Sequence, residues 1–157
     1  MKTELVSSTE ALFEIENIVQ ELLNDGLIND AQFGTILVCL NEAISNSIEH
    51  GNEFDDKKKI EFEYFFMDNQ IVFTISDKGK GFDFEKYLKQ DVDNNKTGIL
   101  SMSILADGLA YFNNGRQVEL RFELSNTVYK LDILRQQSIK NRYSQTKTNS
   151  IKVKKDA

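Results

Sequence analysis

Between His50 and Ile60 the hydrophobic period of this chain changes, and that change restricts its fold more than any other feature. Upstream, Leu12, Ile15, Val19 and Leu22 recur at helical spacing behind a Ser7-x-x-Glu10 capping-box pattern, and Asn24-Asp25-Gly26 stops the run. A second helix is expected from Asn29 or Asp30 to about His50, with Phe33, Ile36, Leu37, Leu40 and Ile44 on its apolar face. Downstream, Ile60, Phe62, Tyr64 and Phe66 alternate with other residues. Asp68-Asn69 then makes a turn, and Ile71, Phe73 and Ile75 alternate again, as in a hairpin with one buried face. A polar stretch, "EKYLKQDVDNNKTG", leads to a short helical run over 98–106. Strands follow around 109–112 and 118–124, on either side of "NNGRQ", and a last one over 128–134. Helices first, then antiparallel hairpins with one helix between them, predict an α+β two-layer sandwich: a mostly antiparallel, mixed sheet covered on one face by three helices.

The totals agree with one folded unit. A chain of 157 residues holds one domain with a sizeable core, and 40% hydrophobic content with eleven Phe is that of a packed chain. No apolar run approaches the roughly 20 residues of a membrane span, and "MKTELVSSTEALFE" has no apolar segment of a secretory signal. The lone Cys39, between Val38 and Leu40, makes no internal disulfide and reads as a small buried hydrophobe. These features predict a cytoplasmic protein. The net charge of −6 is uneven: residues 135–157 carry seven Lys or Arg against Asp156 alone, which leaves 12 basic and 24 acidic residues in 1–134. A domain that acidic is a poor nucleic-acid binder. The division expected is a domain over 1–134 and a basic tail over 135–157, disordered by composition, that is either a solvated end or a docking segment for an acidic partner.

Two polar constellations interrupt this pattern. In "LNEAISNSIEHGN", Glu42 and Asn46 are four apart and His50 four further on, so Glu42 and Asn46 point the same way from a helix. A carboxylate beside an amide is a base next to a hard oxygen ligand suited to Mg²⁺, although the same spacing also suits a solvated helix face. His50, the one histidine, stands where a helix end offers carbonyls to it. The second constellation is "SDKGKGFD", residues 76–83, where Asp77, Gly79 and Gly81 alternate straight after a strand. Glycines there make either an ordinary turn or a place where a ligand approaches the main chain. Asp77 can accept a hydrogen bond from an exocyclic amine, Gly79 and Gly81 leave room for a base, and the N–H groups at the helix opening near Gly98 can face phosphates.

In this order the two constellations resemble the GHKL ATPase superfamily (gyrase, histidine kinases and relatives), and within it the single-domain anti-sigma-factor serine kinases of bacteria. "EAISNSIEHG" is similar to that group's N box and "DKGKGF" to its G1 box. "TGILSMSILAD", residues 97–107, resembles its G2 segment less closely, and "NNGRQVEL" falls where the group has a turn and strand. The resemblance covers roughly residues 5–134. It implies ATP and Mg²⁺ as ligands, with Glu42 as general base and Asn46 as Mg²⁺ ligand. It implies further that Asp77 reads the adenine amino group, with Gly79 and Gly81 beside the base, His50 lining the pocket, and Lys96, Thr97 and Gly98 near the phosphates. Two positions depart from the family: Lys96 replaces the first glycine of the G2 Gly-x-Gly, and Asn94 stands where an arginine is frequent. Both belong to the lid over the phosphates, where a lost cation weakens charge stabilisation and an ammonium can restore it.

The activity implied is an ATP-dependent serine/threonine protein kinase that regulates transcription by partner switching. Its implied partners are a sigma factor or similar regulator that it holds and a small antagonist that it phosphorylates on Ser or Thr, with a homodimer as a further option. A nucleotide-gated binding module without phosphoryl transfer is the alternative that the altered lid favours. A detached histidine-kinase-type ATPase domain is the third reading, and it needs a separate phosphoacceptor because the first helix contains no histidine.

Overall fold

The strand alternation closes into a sheet whose order follows from its connections. In the computed structural model, which describes residues 1–84 and 97–124, Lys59–Met67 (β2) and Gln70–Ser76 (β3) form the expected hairpin. Gly108–Phe112 (β4) and Gln117–Glu123 (β5) form a second one, and β5 lies beside β3. A strand that the hydrophobic pattern did not reveal, Lys2–Val6 (β1), pairs with β2 at the opposite edge. The order is β1-β2-β3-β5-β4 and every pairing is antiparallel. β1 escaped because Leu5 is its one buried residue, and a short edge strand held by ladder bonds leaves little periodicity to read.

Three helices, Glu10–Asn24 (α1), Asp30–Asn46 (α2) and Thr97–Leu105 (α3), cover one face. Their buried residues, among them Ile15, Val19, Ile36, Leu40, Ile44 and Met102, join Leu5, Ile60, Phe62, Phe73, Ile75, Leu120 and Phe122 of the sheet in one core. Phe73 sits at its centre, with ring centroids 6.1 Å from Phe62, 5.9 Å from Tyr64 and 6.0 Å from Phe122. Truncating so enclosed a ring costs about 3–5 kcal/mol. Leu12, Phe33 and Leu37 pack at the margin of this core, half-buried. The α+β sandwich expected from the sequence is therefore the fold observed.

Two local expectations need correction. Ser7 and Glu10 form no capping box: the N-cap of α1 is Thr9, without a side-chain cap bond. Ser7 is buried and its hydroxyl accepts from the Asn52 side chain at 3.1 Å, so a contact 45 residues away has taken the oxygen that a cap would use. A capping box does form at α2, where Asn29 Oδ1 accepts from Gln32 N–H at 2.9 Å and Gln32 Oε1 from Asn29 N–H at 3.0 Å. The second correction is that the α-helical part of α2 ends at Asn46, and Ser47–Gly51 form a π-helical turn. Lys96, Asn94, the strand expected over 128–134 and the basic tail lie outside the described residues.

The strand order also decides where the two polar constellations meet. Ser76 at the end of β3 pairs with Gln117 at the start of β5. The loop after β3 therefore lies beside the turn between β4 and β5, at the same end of the molecule as the C-terminal end of α2.

Candidate functional site

Glu42 and Asn46 stand one turn apart on α2, both half-buried, on the flank against which α3 packs. Thr97 opens α3 and Gly98 comes next. A Cβ on Gly98 would meet the end of the Glu42 side chain and come within 3.9 Å of the Asn46 amide nitrogen, so the opening of α3 lies directly against these two side chains. The structure thus brings Glu42, Asn46 and Gly98 into one cluster, where a carboxylate and an amide face the first turn of a helix. One turn earlier, burial and then the charge of Glu42 push the Cys39 thiol up to about 11. It stays protonated at neutral pH, as expected of a packing residue.

Beyond Asn46 the helix widens: the Asn52 N–H reaches back to the Ser47 carbonyl at 2.7 Å. π-Turns of this kind are frequent at functional sites. The turn carries Gly51 against Asp77, where a Cβ on Gly51 would strike the whole Asp77 carboxyl group, 2.5 Å from Oδ2 and 2.7 Å from Oδ1. His50, in the same turn, is exposed. The chain leaves the turn through Glu53 and Phe54, both with φ near +60° (57° and 59°), a region that side chains other than glycine seldom adopt.

The loop after β3 is fastened from two sides. Asp77 N–H donates to the Arg116 carbonyl at 3.0 Å and Phe82 N–H to the Asn114 carbonyl at 2.9 Å. Gly79 N–H donates to Asp77 Oδ1 at 2.8 Å. A Cβ on Gly79 would strike the Gly51 carbonyl, and one on Gly81, whose φ is +78°, would strike the Asn114 carbonyl. What the missing side chains make room for is therefore this chain's own backbone. The alternation of glycines has an internal cause: a loop clamped between the π-turn and the β4–β5 turn.

Burial raises the Asp77 carboxyl above its ordinary value, while the Gly79 N–H and the charges of Arg116 and Lys58 pull it back. Among the described residues the Gly79 N–H is the one hydrogen bond to that carboxylate, so its Oδ2 keeps acceptor capacity. The site thus has two ends joined by the π-turn: Glu42, Asn46 and Gly98 at one, Asp77 with Gly51 and Gly79 at the other. Four residues of the π-turn lie between Asn46 and Gly51. Sequence reasoning missed Gly51, Asn52 and the Asn114–Arg116 segment. Gly51 and Asn52 fell just past the expected end of the second helix and "NNGRQ" between two strands, and nothing local announces partners on distant segments.

The donor chemistry fits an Mg²⁺-nucleotide. Mg²⁺ carried largely by phosphates needs one or two protein oxygens, and the Asn46 amide oxygen would supply one, which leaves the Glu42 carboxylate beside it as a proton acceptor. The space kept free at Gly98 lets the first turn of α3 approach them. Comparison with known proteins points the same way. The sequence profile described as histidine kinase-like ATPase domain matches residues 5–122. Serine-protein kinase RsbW from two strains of Listeria monocytogenes, HCC23 of serotype 4a and CLIP80459 of serotype 4b, is in each case 29% identical over 75 residues, which is 48% of this chain and 47% of the relative. The chain thus spans about half the length of these relatives in the match. Among the described residues no helix is long and apolar enough to cross a membrane. With the profile covering most of its length and the expected sheet and helices in place, this chain belongs to the histidine kinase-like ATPase domain family.

Proposed function

We propose that this protein is an Mg²⁺- and ATP-dependent serine/threonine protein kinase that acts in the cytoplasm as an anti-sigma regulatory factor, holding a sigma factor or similar regulator and phosphorylating a small antagonist. The observation that carries the proposal is the Glu42–Asn46–Gly98 cluster, a carboxylate and an amide packed against the opening of a helix. The name of the Listeria relatives, serine-protein kinase, supports the reaction class.

In this reading Asp77 Oδ2 accepts from the adenine amine, while its Oδ1 stays on the Gly79 N–H. Gly79 and Gly81 keep the loop close under the base, and His50 borders the pocket from the π-turn. Asn46 Oδ1 holds Mg²⁺. Thr97 and Gly98, with the N–H groups of the first turn of α3, face the phosphates, and Lys96 supplies the cation of the lid. When bound, Mg²⁺ neutralises charge on the phosphate oxygens. Glu42 takes the proton from the seryl hydroxyl of the antagonist. The substitutions at Asn94 and Lys96 favour a second reading, a nucleotide-gated binding module in which ATP alters partner affinity and no phosphate moves.

Calorimetric titration of ATP with and without Mg²⁺ tests the site. Wild type is expected to bind with metal dependence, and Asn46→Ala to bind without it. A stoichiometric pull-down followed by detection of phosphoserine on the captured partner separates the two readings. Captured antagonist that stays unphosphorylated in Mg-ATP would exclude the kinase.

A further inference from the structure

Asn52 is fully buried and belongs to neither end of the site, yet its polar atoms reach four separate segments. Side-chain Nδ2 donates to Ser7 Oγ at 3.1 Å and to the Lys59 carbonyl at 3.5 Å. Oδ1 accepts from the Lys78 N–H at 2.9 Å, and the backbone N–H donates to Ser47 of the π-turn. Its carbonyl accepts from Lys58 Nζ at 3.4 Å.

The Lys78 N–H belongs to the peptide unit that begins at the Asp77 carbonyl. Because a peptide unit is rigid, holding that N–H fixes the plane that leaves Asp77. The plane that enters Asp77 is held by the Arg116 carbonyl. Asp77 is thereby pinned on both sides, by the β4–β5 turn through Arg116 and by the residue that caps the π-turn, Asn52. A buried amide with its donors and acceptor engaged is costly to disturb, so the pin is stiff.

We propose that Asn52 is a positioning residue that sets the Asp77 carboxylate for recognition of an amine-bearing purine, with Ser7 as its anchor. The inference rests on the reading of Asp77 as the adenine contact. It makes base selectivity, and not only stability, depend on a side chain that touches no nucleotide.

The test compares Kd for Mg-ATP and for Mg-inosine triphosphate, whose base carries a carbonyl in place of the amine. It uses the full chain as wild type, Asn52→Ala, Ser7→Ala and Asn29→Ala. A site that pairs with the amine rejects the analogue strongly, so wild type should prefer ATP by about 100-fold or more. Asn52→Ala should cut that preference to about tenfold or less, and Ser7→Ala should cut it about threefold. Asn29→Ala, which loosens the far end of α2, should leave it unchanged. A merely structural Asn52 would lower the melting temperature and leave the ratio intact, and that result overturns the proposal. If Asn52→Ala fails to fold, an unchanged ratio in Ser7→Ala overturns it as well. A wild type that binds ATP without preferring it to the inosine nucleotide removes the adenine reading first, and the proposal with it.

Discussion

The two ends of α2 obey different rules. At its start, Asn29 and Gln32 form a reciprocal capping box and Gln32 Nε2 donates to the Glu123 carbonyl, so each polar group has an ordinary partner close by. At its end the α-helix gives way to a π-turn, and two residues with positive φ follow. Two glycine backbones are pressed together, and a carboxylate is half-buried with its pKa raised. Strain and burial of this kind cost of order 1–3 kcal/mol per feature and persist where the surroundings enforce them. Sequences satisfy local rules wherever nothing else is asked of them, and the end that breaks them is the one to which the proposed site is assigned.

Substitutions can break or sharpen this contrast. The largest effect is expected from Glu42→Gln, which should lower phosphoryl transfer about 10²–10⁴-fold while ATP affinity stays within about twofold, as read by single-turnover kinetics beside calorimetry. Transfer at the wild-type rate would remove Glu42 as the base. Gly79→Ala drives a methyl into the Gly51 carbonyl and should cost about 2–4 kcal/mol in urea unfolding, whereas an exposed helix glycine such as Gly34, with nothing within 4 Å, should tolerate alanine. At the ordinary end, Asn29→Ala should cost about 1 kcal/mol of stability with nucleotide affinity unchanged. Lys78→Ala removes an exposed ion pair to Glu61 and should cost less than about 1 kcal/mol, a loss that fades further at high salt.

Acidity gives the same contrast a sign. Asp77 titrates above its ordinary 3.8 in the folded protein. Its contribution to stability is therefore full below 3.8 and is lost as pH rises through the raised value. Thermal melts across about pH 4–7 should show wild type losing ground to Asp77→Asn as pH increases, and a constant difference would contradict the role given to burial.

Much of the frame could be read because its causes are local. The helical stripe of Ile15, Val19 and Leu22 and the alternation of Phe62, Phe73 and Ile75 place these residues in the core they were expected to build. Glu42 and Asn46 stood out because a fixed spacing on a helix is itself geometry. The features that stayed hidden depend on distant partners: Ser7 gives its hydroxyl to Asn52, β1 is held by a ladder to β2, and Gly51 meets Asp77 across a sheet connection. The glycines of "DKGKG" were visible from the start, but the carbonyls that press on them were not.

The most direct test of the adenine contact is titration of Mg-ATP into wild type and Asp77→Asn side by side. In the variant the amide keeps an oxygen for the Gly79 N–H but presents a donor to the adenine amine, and the buried charge is gone. Asp77→Asn is predicted to melt no lower than wild type at about pH 7 and to bind ATP about 100-fold more weakly. Equal affinity in the two proteins, or no binding by wild type, would contradict that role for Asp77.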